Sequence, residues 1–315
     1  MAPAPARGHQ EGKPTMTTVT EQPHLPVQPQ SVQLELATKC PSRCGMCFVA
    51  ASPQGTHGTM TLAEWLAVIS EAAELDIPMV QLLGGEPTLH PHWIELMDHA
   101  LALGRRVEVY TTLHKIHERW WDVLAHKNVS LATSYHSDDP DEHDRITGKP
   151  GSHARTRANI QEAVRRGIPL RAGIVEVLPG QRVTQARDDL VAMGITRVRI
   201  DRSRAIGRAA TAGEPDVSEL CGRCGRGQLA VLPDGSVAPC VMSRFMPAGS
   251  VKDGTLTAIL NSPAWWNTVE RVPARAQDPC DPDCNPGLDG SDCAPAEQEA
   301  CDPAYADIPD QPEQN

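Results

Sequence analysis

Three cysteines carry the first recognisable chemistry of this chain. Cys40, Cys44 and Cys47 stand at C-x3-C-x2-C spacing within Lys39-Cys40-Pro41-Ser42-Arg43-Cys44-Gly45-Met46-Cys47-Phe48. Three thiolates on one short loop can hold three irons of a cubane [4Fe–4S] cluster, which leaves the fourth iron open to bind and activate a ligand. Zinc competes for such a loop, but it wants a fourth Cys or His nearby, and its structural motifs come as paired C-x2-C hooks. Disulfides need pairs, and three clustered thiols without a secretory signal ahead of them do not supply these. Of the ten cysteines, the other seven all lie late in the chain: Cys221, Cys224, Cys240, Cys280, Cys284, Cys293 and Cys301.

The elements that must position the loop form a repeating module from Ser31 onward. Each repeat is a short apolar strand, a loop, and an amphipathic helix ending in Gly or Asp. The loop follows the run Val32–Ala37. Later strands are expected at Met79–Leu83, Val107–Tyr110, Val129–Ser134, Leu170–Val175 and Val198–Ile200. Thr61-Leu62-Ala63-Glu64 reads as a capping box, with Leu62, Trp65, Leu66 and Ile69 at helical spacing behind it. Pro91 suits the first position of a second helix that Gly104 ends. Further helices are expected over about 117–126, 154–166 and 182–192. Six strands alternating with five helices predict parallel β/α winding, as a barrel or an open sheet. Functional groups then belong on the loops leaving the strand C-termini. Gly84-Gly85-Glu86-Pro87 leaves strand two on the same rim as the cysteine loop. Adjacent glycines allow close backbone approach to a ligand, and Glu86 can accept from an ammonium group.

The totals narrow the partners. With 315 residues, 40% of them hydrophobic, the chain can bury a sizeable core. A net charge of −11 argues against nucleic acid or an anionic membrane as partner, and 3% aromatic content argues against a base-stacking platform. Nothing reads as a membrane span or signal peptide, so the cysteine count points to a reducing cytoplasm and to metal ligation.

Taken together, C-x3-C-x2-C followed by Phe48, with Gly-Gly-Glu-Pro after strand two, resembles the radical S-adenosylmethionine (radical SAM) enzymes over about residues 31–210. The resemblance implies a partial (β/α)6 TIM-like barrel. It implies that Cys40, Cys44 and Cys47 hold a [4Fe–4S] cluster whose open iron chelates SAM. Phe48, Gly84, Gly85, Glu86 and Pro87 would then belong to the SAM site, with Gly84, Gly85 and Glu86 on its amino group. Ser134 and Arg145 resemble the family's ribose and carboxylate contacts. One-electron cleavage of SAM, with electrons from a flavodoxin or ferredoxin, would yield a 5′-deoxyadenosyl radical that takes a hydrogen atom from substrate. The family's Thr-Asn-Gly after strand three is replaced here by Thr111-Thr112-Leu113, so no contact is carried over there. His136, two residues past Ser134 on the rim, is a candidate substrate contact.

Beyond the barrel, Pro233-Asp234-Gly235 between short apolar runs reads as a β-hairpin that brings Cys240 beside Cys224. This resembles the SPASM and twitch extensions that hold auxiliary [4Fe–4S] clusters, with a zinc ribbon as the plain alternative. Seven cysteines allow two auxiliary clusters with one open iron, or one twitch-type cluster on Cys224, Cys240, Cys280 and Cys284 with spare thiols. Val241 stands where sulfatase maturases of this kind carry an Asp base, which argues against that activity. The expected organisation is a disordered tail over 1–30, the barrel over 31–210, a small cysteine-rich SPASM/twitch domain over 211–305, and a short tail over 306–315. The expected activity is oxidation, cross-linking or epimerisation of a ribosomally made peptide. A separate peptide-recognition protein would be needed, because some 30 tail residues cannot form a leader-binding domain. Dehydrogenation or epimerisation of a small molecule such as an aminoglycoside is the alternative. A non-enzymatic zinc or redox protein leaves Gly-Gly-Glu-Pro unexplained.

Overall fold

The computed structural model describes Met1 and residues 28–210 and 215–273. Cys280, Cys284, Cys293 and Cys301 lie outside the described residues, as do most of the two expected tails. Gln28–Gln30, assigned to the N-terminal tail by composition, already pack on the fold. The Gln28 amide donates to the Leu75 carbonyl, and the Gln30 N–H donates to Gly227 at 2.6 Å.

Six parallel strands follow in sequence order: β1 (Ser31–Glu35), β2 (Met79–Leu83), β3 (Arg106–Tyr110), β4 (Val129–Ser134), β5 (Leu170–Glu176) and β6 (Val198–Arg202). Each pairs with the next, so every connection must cross over the sheet. The crossovers are made by α1 (Leu62–Glu74), α2 (Trp93–Ala102), α3 (Glu118–Leu124), α4 (Pro140–Thr147), α5 (Ser152–Arg165) and α6 (Val183–Ala192). The capping box expected at Thr61 opens α1, with both reciprocal bonds present. One more helix is present than expected, because the β4–β5 crossover holds two. The acidic stretch Asp138–Glu142 leads into α4, with Asp139 as its N-cap. The Asp139 carboxylate accepts from Glu142 N–H at 2.8 Å, Pro140 fills the first turn, and Gly148 closes the helix at φ +61°.

The barrel does not close. The strand order is β6-β5-β4-β3-β2-β1-β7-β8-β9, so the free edge of β1 meets β7 (Gln228–Val231) and not β6. β7 runs parallel to β1, and the expected hairpin then turns at Gly235 into β8 (Ser236–Ala238), with β9 (Gly249–Ser250) beyond. The described part of the cysteine-rich extension therefore continues the barrel's own sheet. Its helices α7 (Leu256–Leu260) and α8 (Pro263–Glu270) enter the same core, and Leu256 N–H donates to the Glu71 carboxylate on α1 at 2.5 Å.

Strand alternation divides the residues into two sets. Val32, Leu34, Val80, Leu82, Val107, Val109, Val129 and Leu131 face the helices and meet Trp65, Ile69, Trp93, Leu96 and Trp121 in one core. Each such side chain stabilises by roughly 1.5–3 kcal/mol on burial. The alternate positions face inward and are polar: Gln33, Glu35, Gln81, Glu108 and Arg171 are all buried. Charges so placed need partners. Arg171 forms a fork on Glu108, at 2.8 Å from Nε and 2.9 Å from Nη2. Tyr110 and Gln81 complete the network, with Arg171 Nη2 to the Tyr110 hydroxyl at 2.6 Å and Gln81 Nε2 to Glu108 at 3.0 Å.

Candidate active site

A cavity of about 250 Å³ opens at the C-terminal ends of the parallel strands, where α/β folds of this winding gather their ligands. Cys40, Cys44, Cys47 and Phe48 line it together with Gly84, Gly85, Ser134 and His136. Elements separated by almost a hundred residues thus meet on one rim.

The cysteine loop is irregular and is held chiefly through its backbone. Cys40 N–H donates to Ser52 at 3.0 Å, and Arg43 N–H donates to Thr147 at the end of α4 at 2.9 Å. The Cys47 sulfur accepts the Ala51 N–H at 3.4 Å. Burial pushes the Cys40 thiol up to about 12, reinforced by the nearby Glu86 carboxylate. Burial also pushes Cys44 up to about 12, with the Cys47 sulfur adding to the shift and the Arg208 guanidinium opposing it. Such thiols ionise when a metal takes the proton's place. Among the described residues no three Cys, His, Asp or Glu side chains converge as the ligands of one metal ion would. A cubane asks for something different, since each thiolate takes its own iron. Three thiols side by side on one loop facing a cavity fit that demand.

Gly84 and Gly85 are fixed by close approach. Gly84 adopts φ +144°, and a Cβ there would stand 2.5 Å from the Ala37 carbonyl oxygen; one on Gly85 would stand 2.5 Å from that of Lys39. Gly85 N–H donates to Ala37 at 2.6 Å and Glu86 N–H to Lys39 at 2.9 Å. The turn is therefore zipped onto the chain entering Cys40. Glu86 does not line the cavity. Its Oε1 accepts from the Thr88 N–H and hydroxyl at 3.3 and 2.8 Å, and its Oε2 accepts from the Thr112 N–H and hydroxyl at 2.8 and 2.7 Å. The Glu86 carboxylate, the expected acceptor for a ligand's ammonium, here ties two loops together. Pro87 is buried at the head of the short 3-10 turn Pro87–Leu89 and also lies off the cavity.

On the β4 side, Ser134 and His136 line the cavity, joined by His143 from α4. His136 Nδ1 accepts the Val175 N–H at 3.3 Å, and His143 Nδ1 accepts the His136 N–H at 3.2 Å. Each ring therefore carries its proton on Nε2. Burial pushes His136 down to about 3 and His143 down to about 4, so both are neutral near pH 7. Arg145 does not join them. It sits exposed on α4, whose His143, Ile146 and Thr147 face inward. Arg171 and Arg199, from the interiors of β5 and β6, are cationic residues that do line the cavity.

The opposite wall comes from the extension. Val241 and Met242, directly after Cys240, line the cavity. Val241 N–H donates to Gln33 Oε1 on β1 at 3.0 Å, and Arg244 pairs with the fully buried Glu35 at 2.6 Å. The hairpin does bring Cys240 to Cys224, sulfur to sulfur at 3.1 Å, with both buried. The Cys221 thiol is lowered to about 6, first by its hydrogen bond with Cys224.

Residues 34–188 match the family model of the Radical SAM superfamily, and residues 221–285 match that of an iron–sulfur cluster-binding domain, SPASM. The chain belongs to the radical SAM superfamily and carries a SPASM extension. A PqqA peptide cyclase of Xanthomonas axonopodis pv. citri is 32% identical over 143 residues, covering 45% of this radical SAM chain and 38% of that protein. The PqqA peptide cyclase of Ruegeria pomeroyi is 25% identical, with 72% of each chain covered. The chain thus matches the first of these relatives over less than half of their length. Among solved structures, SAM-bound SuiB of Streptococcus suis aligns at TM-score 0.65 and 14% identity, covering 76% of this chain and 67% of that one. The anSMEcpe structure with bound AdoMet aligns at 0.61 and 12%, covering 77% and 83%. At these identities the two structures speak for the fold alone. Among the described residues no helix is long and apolar enough to cross a membrane.

The interior strand residues Gln33, Tyr110, Arg171, Arg199 and Asp201 were missed in reading the sequence, as was His143. A signal for the strand residues existed. Val-Gln-Leu-Glu, Val-Gln-Leu and Val-Glu-Val-Tyr alternate polar and apolar residues inside strands that are buried on both faces, where a continuous apolar run is the norm.

Proposed function

We propose that this radical SAM enzyme modifies a ribosomally made peptide by removing hydrogen from one of its residues. The observation that carries the reading is the shared cavity. The three-cysteine loop and the Gly84-Gly85 turn form one wall, and Val241 and Met242 beside Cys240 form another. The peptide substrate is supported by the sequence relatives, which are named for cyclising the PqqA peptide. Cys40, Cys44 and Cys47 would hold a [4Fe–4S] cluster, which supplies one-electron cleavage of SAM when bound. Cys221, Cys224 and Cys240, with ligands from Cys280, Cys284, Cys293 and Cys301, would hold one or two auxiliary clusters.

The chain's own residues have distinct tasks in this scheme. The backbone of Gly84 and Gly85 receives the amino group of SAM, and Ser134 meets its ribose. Phe48, which packs against both the cysteine loop and the Cys224–Cys240 side, closes the cavity between them. Glu86 works indirectly, by fixing the glycine turn through Thr88 and Thr112. His136 and His143 offer neutral N–H donors to a substrate carbonyl on the β4 side. Electrons would come from a flavodoxin or ferredoxin, and a separate recognition protein would deliver the peptide.

The test uses anaerobically reconstituted protein with SAM, dithionite and candidate short peptides from neighbouring reading frames. About eight irons per chain is expected for one auxiliary cluster and about twelve for two. The peptide should raise 5′-deoxyadenosine formation and lose hydrogen by mass. Zinc without iron would overturn the site. Full iron with 5′-deoxyadenosine but an unaltered peptide would overturn the substrate.

A further inference from the structure

The first and last strands of the partial barrel do not pair, yet the chain after β6 returns to the cysteine loop and holds it. Arg208 makes the return. Its Nη1 donates to the Cys44 carbonyl and its Nη2 to the Ala51 carbonyl, while its backbone N–H donates to the Cys47 carbonyl at 2.9 Å. The three bonds bracket the loop from the second cysteine to the residue where it rejoins the fold. Gly207 makes this approach possible. At φ +61°, a Cβ there would stand 2.2 Å from the Phe48 carbonyl oxygen and 2.5 Å from that of Cys47. The segment carrying Arg208 is itself anchored. Arg204 pairs with Asp201 at 3.1 Å and donates to the Glu219 carbonyl at 2.7 Å, and Ile206 is buried.

A guanidinium suits the task. Its planar fork reaches two carbonyls at once from two nitrogens and stays charged, whereas an ammonium carries its three N–H donors on one nitrogen. Few apolar contacts share the work, since the cluster around the loop holds only Cys40, Val49 and Ala51, with Cys47 and Phe48 partly buried beside them. We propose that Arg208 is a positioning residue for the SAM-cleaving centre. Through the backbone it fixes where the Cys44 and Cys47 thiolates stand, and its charge raises the reduction potential of the cluster they hold. The inference rests on the radical SAM reading of that loop. Reduction adds negative charge to the cluster, and a cation within hydrogen-bonding distance of the Cys44 peptide favours the reduced form.

The experiment compares wild type, Arg208→Gln and Arg208→Lys after anaerobic reconstitution. Three quantities are read: iron content, the midpoint potential of the EPR signal that changes on adding SAM, and 5′-deoxyadenosine formation. Arg208→Gln should shift that potential to more negative values. Arg208→Lys keeps the charge and should stay near the wild-type potential, yet lose about tenfold or more in SAM cleavage because a single nitrogen lacks the fork that holds both carbonyls in place. If Arg208→Gln takes up no iron at the three cysteines while its apoprotein melts with wild type, the positioning role stands. Wild-type potential and rate in Arg208→Gln would overturn the proposal. A globally unfolded Arg208→Gln beside an Arg208→Lys with wild-type potential and rate would overturn it equally. A wild-type protein that binds no iron at Cys40, Cys44 and Cys47 would instead sink the reading of the loop, whatever the variants do.

Discussion

Cys44 and Cys47 stand half-buried on an irregular loop that faces the cavity, whereas Cys224 and Cys240 are fully buried behind a β-hairpin. The loop has little apolar support and depends on carbonyls and amides supplied by Ser52, Thr147 and Arg208. The second pair sits in an apolar cluster with Leu83, Ile206, Leu220, Val241, Met242 and Met246. Backbone hydrogen bonds fix an exact loop shape while leaving one face open, and apolar packing seals a group on all sides. The first construction suits a centre that must admit and release a small molecule. The second suits a centre shielded from solvent. Both meet at β1, whose end leads into Cys40 and whose Gln33 receives the Val241 N–H.

The largest expected effects separate the two groups by function. Cys44→Ala should abolish 5′-deoxyadenosine formation. Cys240→Ala should lower iron content and stop conversion of the peptide, yet leave reductive SAM cleavage in place. If Cys240→Ala lost SAM cleavage while the first centre kept its iron, the division between an open and a sealed centre would be wrong.

The floor between them is the next place to press. Arg171 and Glu108 are both buried, each at 7% side-chain exposure. Arg171→Met leaves a buried carboxylate without its fork, which should cost about 3–5 kcal/mol in urea unfolding. The double variant Glu108→Leu/Arg171→Met should recover much of that. A double-variant loss equal to the sum of the two single-variant losses would mean that the network is not coupled as drawn.

A smaller loss is expected at the glycine turn. Glu86→Gln replaces one acceptor oxygen by an amide that faces an N–H and a hydroxyl, at a cost of about 1.5–3 kcal/mol for a charge-assisted bond. Because the turn is zipped to the chain entering Cys40, SAM affinity should fall by about tenfold, with iron content unchanged. Unchanged SAM affinity in Glu86→Gln would show that the turn holds its shape without the Thr88 and Thr112 bonds.

How far the sequence announced this structure follows from the range over which each signal acts. Caps, glycines and apolar period are local, so the six strands, the Thr61 capping box and the hairpin at Gly235 were legible. So was the convergence of two motifs on one rim, because parallel winding places every strand's C-terminus on the same side. Four things were not. The helix at Pro140–Thr147 was hidden by its acidity, although Asp139-Pro140 is a helix start. The parallel seat of β7 on β1 joins residues almost two hundred apart and has no local signature. Arg145 stands at a plausible distance from Ser134 in sequence, but helical phase turns its side chain outward. Arg208 needed the folded chain, since its partners lie more than a hundred and fifty residues upstream.

The last test probes the open cavity's own wall by acid. Burial holds His136 at about 3 and His143 at about 4, each with Nδ1 committed to a backbone N–H. In the unfolded chain a histidine titrates near 6.5. Both folded values are depressed, so their stabilisation is complete above about 6.5 and is lost as pH falls toward 4, where the unfolded chain binds protons that the folded one refuses. The slope is at most about 1.4 kcal/mol per pH unit for each ring. Glu35 and Glu71, both raised by burial, oppose it, since the folded chain takes up their protons first. Their contribution cancels in a comparison of variants. His136→Asn keeps an acceptor for the Val175 N–H and removes the titration, so unfolding between pH 6.5 and 4 should show a shallower pH slope than wild type, with matching slopes above pH 7. Equal slopes throughout would mean that His136 titrates in the folded state as it does in the unfolded chain, and the cavity's β4 wall would then be as open as its cysteine loop.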